Sequence, residues 1–278
     1  MSKSFIVTSF KGGVGKTTLS ANLAMSLARR GNRVVTVDCD LESRCLDIVL
    51  GLENASLFNV CDCIKGTCSL DSAIVNDKRC ENLFFICAPA FYPERHEDGF
   101  VPDYFTKESV GKFVKGLKER FDYIIFDLPA RPDNLYRHLA VFADTAFVIS
   151  LHTQASIRAA EKTAIALNSL TGYGKENLTS GGLDIKLIVN GFKSKDTKNG
   201  SNVGLYDIIS KTRLQLFGVV PFSLQMSKAQ ESGKLAFEIS KGNNAFTKAV
   251  ENIATRCEGY KVALFDGVDT GVKKSRVL

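Results

Sequence analysis

The sequence lacks the long apolar runs that mark membrane-spanning proteins and the biased composition that marks disordered or fibrous ones. No run of about 18 apolar residues occurs in its 278 residues, so no transmembrane helix is predicted. Apolar residues make up 45% and charged residues 24%, which is ordinary for a globular protein. The apolar stretch before the first glycines is too short for a signal peptide. We therefore expect a cytoplasmic protein.

Paired CxxC motifs are also missing, although the chain holds eight cysteines. Seven of them lie between Cys39 and Cys87, with Cys61, Cys63 and Cys68 close together, but the spacings match no zinc pattern. The chain is far longer than the small secreted domains that depend on disulfides. We expect free thiols that mostly pack as small apolar side chains.

The net charge of +6 is confined to one part of the chain. Residues 191–278 hold 14 Lys plus Arg against 8 Asp plus Glu, whereas residues 1–190 hold 22 of each. A basic surface in the last third fits nucleic acid, anionic lipid or an acidic protein, and it also fits a simple solvated face. The charge alone does not choose among these readings.

Apolar segments without polar alternation recur along the chain, and they are typical of parallel strands covered on both faces. We predict strands at 5–8, 33–37, 83–87, 123–127, 145–150, 185–190 and 216–220. We predict helices at 16–30, 56–65, 106–120, 133–142, 154–169, 224–231 and 243–257. Their alternation predicts a doubly wound α/β fold, a mostly parallel sheet flanked by helices. We expect one domain over 1–257, exposed loops at 89–105 and 193–203, and a tail at 258–278.

A glycine-rich loop, KGGVGKTT, follows the first predicted strand and leads into a helix-forming segment. Such a loop aims backbone N–H groups and the positive end of a helix dipole at one point, which is the geometry of a phosphate site. In it, Lys16 reaches the β- and γ-phosphates and the Thr17 hydroxyl binds Mg²⁺. The predicted nucleotide-binding residues of this loop are Lys11, Gly12, Gly13, Val14, Gly15, Lys16, Thr17 and Thr18.

The loop resembles that of the deviant Walker A P-loop ATPases, the MinD/ParA family, whose pattern is KGGxGKT[ST]. Phe10 stands where an ordinary Walker A loop has its first glycine, and Lys11 matches the signature lysine of the family. The resemblance implies a P-loop NTPase fold with ATP and Mg²⁺ as cofactors. It also implies an ATP-bound homodimer in which Lys11 of one subunit completes the site of the other.

Two carboxylate segments extend the resemblance. VDCDLESRCLD is similar to a switch segment of the family, in which Asp40 would orient the attacking water and Asp38 lies beside it. The strand YIIFD ends in Asp127, which resembles the family's Walker B carboxylate and would lie near Mg²⁺ or its waters. The implied catalytic residues are Lys11, Lys16 and Asp40, and the implied metal-binding residues are Thr17, Asp38, Asp40 and Asp127.

Two further positions match the family's base-binding segments. Asn190 ends a predicted strand where an asparagine of the family reads adenine, and Pro221 lies in a segment that borders the base. An asparagine after a strand is otherwise a common turn former, so this reading stays open beside the functional one.

Residues 57–90 and 218–237 resemble the MinD branch of the family, and the resemblance runs over roughly residues 1–255. It implies a slow ATP hydrolase, stimulated by a partner protein, that acts as an ATP-dependent dimerisation switch in the spatial regulation of cell division. The chain departs from the branch at Arg131 and Pro132, which follow Ala130 where a glycine is usual, and in its longer 89–105 loop.

The tail leaves the membrane question open. Its apolar residues Tyr260, Leu264, Phe265, Val268 and Val272 fall on one helical face, and Lys273, Lys274 and Arg276 follow. Glycines and aspartates within it, at 266, 267, 269 and 271, oppose a lipid-binding helix. Peripheral attachment to the inner face of the membrane is therefore one expectation, and a purely cytoplasmic protein is the other.

Other functions remain as alternatives. A ParA-type partition ATPase would bind DNA nonspecifically through the basic last third. An iron–sulfur reductase similar to nitrogenase reductase shares the loop, but only Cys87 lies near a suitable strand end. A nonhydrolytic adaptor is disfavoured because Asp40 is present. His96, His138 and His152 have no carboxylate or cysteine at ligand spacing, so we expect packing or surface roles for them.

Overall fold

An eight-stranded sheet organises the computed structural model of the chain, which describes residues 2–91, 104–172, 182–193, 200 and 202–264. Its strands run in the order β3-β4-β2-β5-β1-β6-β7-β8, and all pair in parallel except β3 with β4. The strands are β1 (Lys3–Thr8), β2 (Val34–Asp38), β3 (Val75–Asn76), β4 (Leu83–Ile86), β5 (Tyr123–Asp127), β6 (Thr145–Ser150), β7 (Asp184–Phe192) and β8 (Gln215–Pro221).

Helices cover both faces of this sheet. They are α1 (Lys16–Ala28), α2 (Leu46–Leu50), α3 (Val60–Lys65), α4 (Leu70–Ala73), α5 (Lys107–Lys118), α6 (Asn134–Phe142), α7 (Gln154–Gly172), α8 (Leu205–Thr212), α9 (Leu224–Gln230), α10 (Ala245–Cys257) and a 3₁₀ helix (Ala236–Gly242). Ile6 of β1 packs into the cluster that includes α5, α6 and α7, while its neighbours Phe5 and Val7 pack into the cluster that includes α1 and α10. The doubly wound fold is therefore confirmed.

Several short elements differ from the prediction. The two-residue strand β3, the helices α2, α4 and α8 and the 3₁₀ helix were not predicted, because each is shorter than the window of about 11 residues over which a hydrophobic period can be recognised. Helix α3 begins at Val60 rather than at residue 56. The reason is local, since the Asn59 side chain accepts hydrogen bonds from the N–H groups of Cys61 and Asp62 and caps the helix there.

The end of the chain is only partly described. α10 ends at Cys257, and its predicted apolar face is buried. Beyond the helix, Tyr260 is exposed and residues 260–263 form no helix. The carbonyl of Val262 accepts a hydrogen bond of 3.0 Å from the side chain of Arg256 in α10. The tail from residue 265, most of the 89–105 loop (92–103), and residues 194–199 and 201 of the other predicted loop lie outside the described residues. The domain boundary at 257 stays a prediction.

Among the described residues, the structure has no helix with the length and apolarity needed to cross a membrane.

The topology brings the predicted chemistry to one edge of the sheet. The chain leaves β1 towards β2 on one side and later passes from β5 to β6 on the other, so that β1 lies at the switch point of the sheet. Ligands of open α/β sheets bind outside the carboxyl ends of strands at such a point. Asp127 at the end of β5 is in register with Val7 of β1 and with Asp38 of β2. The loop after β1 therefore faces both carboxylates.

Candidate nucleotide-binding site

The loop between β1 and α1 curls in a way that depends on glycine. Gly13 has φ +70° and Gly15 has φ +91°, both in the left-handed region that other residues rarely adopt. Gly15 is also the N-cap of α1 and has no side chain to bond the first N–H groups of the helix. These N–H groups therefore remain available for an anion.

Hydrogen bonds hold the loop at Phe10 and Val14, and the loop is open to solvent at Gly12 and Gly13. The N–H of Phe10 donates to Thr163 Oγ1 at 3.0 Å, and Asn190 Nδ2 donates to the carbonyl oxygen of Val14 at 2.8 Å. On the opposite side, a Cβ placed on Gly12 or Gly13 would meet no atom within 4 Å. Two hydrogen bonds thus hold the loop, and the open space beside Gly12 and Gly13 leaves room for a phosphate group to approach the backbone.

Lys16 and Asp127 form the buried centre of the site. Lys16 is only 8% exposed and Asp127 is 1% exposed. Asp127 Oδ1 accepts a hydrogen bond from Ser20 Oγ at 3.0 Å, and the carboxylate also accepts from the Thr17 hydroxyl. Burial raises the pKa of Asp127 to about 6, although these hydrogen bonds and the charge of Lys16 oppose the shift.

Asp38 serves the backbone of the segment that follows it. Its Oδ1 accepts from the N–H of Asp40 at 3.0 Å and its Oδ2 accepts from the N–H of Leu46 at 3.1 Å. Burial, followed by the charge of Asp127, raises the pKa of Asp38 well above its usual range. Both carboxylate oxygens of Asp38 are therefore engaged in fixing residues 40–46.

Asp40 is the more accessible carboxylate of this segment. Its side chain is half-buried, and Oδ1 accepts from the N–H of Ser43 at 3.1 Å. Asp38 fixes the main chain at Asp40 itself. A carboxylate held in this way keeps oxygen lone pairs for a water or a substrate.

A cavity of about 410 Å³ adjoins the loop and brings together residues that are distant in sequence. Gly13 and Gly15 line it on one side, and Asn190, Pro221 and Phe222 line it on another. Both positions predicted to border a base thus lie beside the phosphate loop. In the same region Thr18 Oγ1 donates to Gln230 Oε1 at 2.6 Å, which ties α1 to α9.

The predicted site residues lie in one region around the phosphate loop. Lys11 is half-buried at the entrance of the loop, and its N–H lies 3.4 Å from Ser9 Oγ. Asn190 lines the cavity beside the loop, and its Nδ2 donates to the carbonyl oxygen of Val14, so that its amide supports the loop; its predicted contact with a base stays a prediction.

Three supporting residues were not predicted from the sequence. Ser20 bonds Asp127, Gln230 bonds Thr18, and Thr163 bonds the N–H of Phe10. Ser20 could have been found, because it lies one helical turn after Lys16 and so faces the same side of α1. The other two depend on long-range packing, for which the sequence has no local signal.

The donor set of the site fits a magnesium ion only together with a nucleotide. In the part of the chain that the structure describes, no three His, Cys, Asp or Glu side chains form a metal-binding group. The Thr17 hydroxyl and the Asp127 carboxylate nevertheless lie together at the helix N-terminus. Mg²⁺ commonly takes one or two protein oxygens and completes its shell with phosphates and water, and the residues present fit that pattern.

Comparison with known proteins gives matches over most of the chain. The CobQ/CobB/MinD/ParA nucleotide binding domain matches residues 5–236. The septum site-determining protein MinD of Bacillus subtilis (strain 168) is 32% identical over 264 residues, which cover 95% of this chain and 92% of that protein. The MinD protein of Helicobacter pylori is 31% identical over 258 residues, with 92% and 90% covered.

A solved structure agrees with these matches. The MinC:MinD cell division protein complex of Aquifex aeolicus has a chain with a TM-score of 0.79 and 28% identity, covering 95% of this chain and 98% of that one. The chain described here therefore belongs to the MinD/ParA family of nucleotide-binding ATPases, in its septum site-determining MinD group.

Proposed function

We propose that this protein is an ATP hydrolase that dimerises with ATP and acts as a switch in septum-site determination during cell division. The observation that carries the proposal is the open phosphate cradle at Gly13–Lys16 beside Asp40 and Asp127, in a chain similar to MinD proteins over nearly its whole length. A phosphate cradle alone is common to many nucleotide-binding proteins, and it is the MinD likeness that selects cell division.

The loop and α1 bind the phosphates in this proposal. The N–H groups of residues 12–17 surround the β-phosphate, and the Lys16 ammonium reaches the β- and γ-phosphates. Thr17 and Asp127 lie where they would hold Mg²⁺ or its waters, and the ion supplies positive charge to the phosphates. Asn190 and Pro221 border the adenine base in the adjoining cavity.

Hydrolysis needs a group that orients water, and we assign this role to Asp40. Its half-exposed carboxylate retains accepting capacity, whereas the oxygens of Asp38 are buried and engaged by backbone N–H groups. We therefore assign Asp38 to positioning the segment rather than to contact with the reacting atoms. Lys16 stabilises negative charge on the transferring group.

The second subunit contributes Lys11 in this proposal. Gly12 and Gly13 are exposed at the front of the loop, and Lys11 lies next to them at its rim. A lysine from each subunit placed against the other's phosphates offsets phosphate repulsion, and it links dimer formation to ATP rather than ADP. Loss of the γ-phosphate then weakens the dimer.

The proposed ATPase cycle also involves a partner protein and attachment to the membrane surface. A relative of this chain forms a complex with MinC, so we propose a similar partner here and a slow basal turnover that a partner stimulates. The basic excess of the last third is the basis for proposing peripheral attachment to the inner face of the membrane.

Light scattering and hydrolysis assays test the switch. We expect a monomer without nucleotide or with ADP, a dimer with Mg²⁺ and ATP, and phosphate release that stops when EDTA removes Mg²⁺. A protein that neither hydrolyses ATP nor changes mass in any nucleotide state would contradict the proposal.

Flotation with anionic vesicles tests the surface. The full chain and a version cut after Gly259 are compared with ATP and with ADP. ATP-dependent flotation that is lost on truncation supports membrane attachment. Equal behaviour of the two chains removes that part of the proposal, and salt-sensitive binding to duplex DNA in its place would favour a partition function.

A further inference from the structure

Two cysteine thiols contact each other at the corner between α3 and α4. Cys63 Sγ lies 3.7 Å from Cys68 Sγ, and both residues are half-buried. Other cysteines behave differently, because the thiols of Cys39, Cys45 and Cys87 point to backbone carbonyl oxygens. The sulfur–sulfur distance in a disulfide is about 2 Å, so less than 2 Å of approach separates the pair from a bond.

The backbone fixes this contact. After α3 the N–H of Gly66 donates to the carbonyl of Cys63 at 3.2 Å, and the N–H of Thr67 donates to that of Asp62 at 3.0 Å. Gly66 has φ +76°, so this is a Schellman turn that folds the chain back over the helix end. Ser69 then caps α4 through the N–H of Ser72. Cys68 lies between the Schellman turn that ends α3 and the Ser69 cap that begins α4, and these two turns place its thiol against that of Cys63.

Solvent reaches the pair through a cavity of about 470 Å³ between this corner and α5. Its lining includes Cys63, Cys68, Lys65 and Lys112. Lys112 is paired with Glu108 at 2.8 Å, and Lys65 Nζ lies 4.4 Å from the Tyr104 ring centroid. The cavity has room for a small peptide thiol. Glu108, which also lines it, balances the charge of Lys112, so Lys65 supplies the excess positive charge that favours a peptide with carboxylates.

We propose that Cys63 and Cys68 form a redox-active pair that closes to an intramolecular disulfide by exchange with a low-molecular-weight disulfide such as glutathione disulfide. In the first step, the Cys68 sulfur attacks one sulfur of the small disulfide, forming a mixed disulfide and releasing one small thiol. In the second, Cys63 attacks Cys68 Sγ and releases the other small thiol. Two protein thiols are oxidised, one small disulfide is reduced, and the two protons end on the small thiols.

We place Cys68 first because it lies in the connection between α3 and α4, with the exposed residues 65–67 and 69 around it, whereas Cys63 lies within α3. Burial, together with the neighbouring Cys68, raises the pKa of Cys63 and makes it a poor first nucleophile. Once Cys68 carries the mixed disulfide, Cys63 is already in contact with the sulfur that it must attack. Proximity of this kind compensates for weak ionisation.

The pair is separate from the nucleotide site. The residues that line its cavity lie on α3, α4, α5 and the connections at their ends, and none of them belongs to the phosphate loop, to residues 38–40 or to Asp127. The inference therefore does not depend on the proposed function, and its test does not require ATP hydrolysis.

The test is peptide mapping of the full-length protein after anaerobic equilibration in glutathione buffers of increasing oxidised fraction. Acid stops the exchange, free thiols are then blocked with a maleimide in denaturant near neutral pH, and the protein is cut with trypsin. Lys65 lies between the two cysteines, so the disulfide would join peptide 45–65 to peptide 66–78. We expect this linked pair to replace the alkylated peptides, to disappear after reduction, and to be assigned to Cys63–Cys68 by fragmentation.

Matched variants complete the test. Cys68→Ser should lose the linked peptide, and Cys63→Ser should stop at a Cys68 mixed disulfide. Cys45→Ser removes an exposed thiol without a thiol neighbour and should leave the linkage unchanged. The wild-type measurement decides the matter even if a variant folds poorly. Two separately alkylated or separately glutathionylated cysteines, a link through Cys61, or a link between two chains would each overturn the proposal.

Discussion

The buried carboxylate of Asp38 accepts a hydrogen bond from the backbone N–H of Asp40 at 3.0 Å. One carboxylate thus positions the other, and the two have opposite exposure. Asp38 is fully buried and bonded by two backbone amides, while the Asp40 side chain remains half-exposed. Asp38 therefore fixes the backbone of the segment, and Asp40 is the carboxylate available for chemistry. Substitutions can test this assignment.

Asp40→Asn should lower the rate of ATP hydrolysis by about 100-fold or more, because an amide cannot accept a proton from the attacking water. Nucleotide affinity should stay close to that of the parent, and the ATP-bound dimer should persist for longer. Phosphate release and light scattering measure the two effects. Glu42→Gln is the control, since Glu42 is an exposed carboxylate two residues away. Equal activity of both variants and the parent would exclude Asp40 from the chemistry.

Lys11→Ala should separate nucleotide binding from dimerisation. The variant retains Lys16 and the loop N–H groups, so a monomer should still bind ATP. It should form no ATP-dependent dimer and should hydrolyse ATP about 100-fold more slowly, because the second cation is lost. Lys228→Ala, which removes an exposed lysine of α9, is the matched control. A normal ATP-dependent dimer of Lys11→Ala would show that Lys11 does not act across the interface.

Alanine substitutions along the phosphate loop should rank by backbone geometry. Gly12→Ala adds a Cβ into open space and should change the melting temperature little. Gly13→Ala also has space but sits at φ +70°, which costs about 1 to 2 kcal/mol. Gly15→Ala should cost most, because φ is +91° and the new Cβ would lie 2.2 Å from Asn190 Nδ2. Thermal unfolding without nucleotide measures the order.

The contact between Gly15 and Asn190 predicts a coupling as well. In the double variant Gly15→Ala/Asn190→Ala the clash is relieved, while the backbone strain and the loss of the hydrogen bond from Asn190 to Val14 remain. Its loss of stability should be smaller than the sum of the two single losses. Additive losses would mean that Asn190 does not confine the loop at Gly15.

Local patterns were sufficient to predict the phosphate loop and the seven parallel strands. A glycine loop between a strand and a helix specifies its own geometry within a few residues, and uniformly apolar segments specify buried parallel strands. The fold class and the centre of the site were therefore accessible from the sequence. The in-register placement of Asp38 and Asp127 depends on the pairing of β2 with β5, which the sequence analysis did not predict.

Contacts between distant segments were not accessible in this way. Asn190 donates a hydrogen bond to the carbonyl of Val14, 176 residues away in the sequence. Gln230 accepts one from the hydroxyl of Thr18, 212 residues away. The thiol contact of Cys63 with Cys68 is short in sequence, but it depends on the Schellman turn at Gly66, which the spacing of the cysteines does not reveal. Packing, rather than local propensity, decides such contacts.

Asp133 makes a pH dependence predictable. This residue is the N-cap of α6, and its Oδ1 accepts from the N–H of Tyr136 at 2.7 Å. Burial raises the pKa of Asp133 to about 6, and the charges of Glu42 and Asp40 add to the shift. In an unfolded chain the pKa is about 3.9. Between these values the folded state binds more protons, so the contribution of Asp133 to the free energy of unfolding falls as pH rises from about 4 to 6.

Asp133→Asn should remove this penalty and keep the cap, because asparagine caps helices as well as aspartate does. We expect the variant to be more stable than the parent at pH 7.5 by about 1 to 2 kcal/mol, and to lose that advantage near pH 4, where the parent carboxyl is protonated in both states. Urea unfolding of nucleotide-free protein across this range measures the difference. Glu53→Gln, at an exposed carboxylate, should show no such trend. A difference that is independent of pH would mean that Asp133 is not destabilised by burial of its charge.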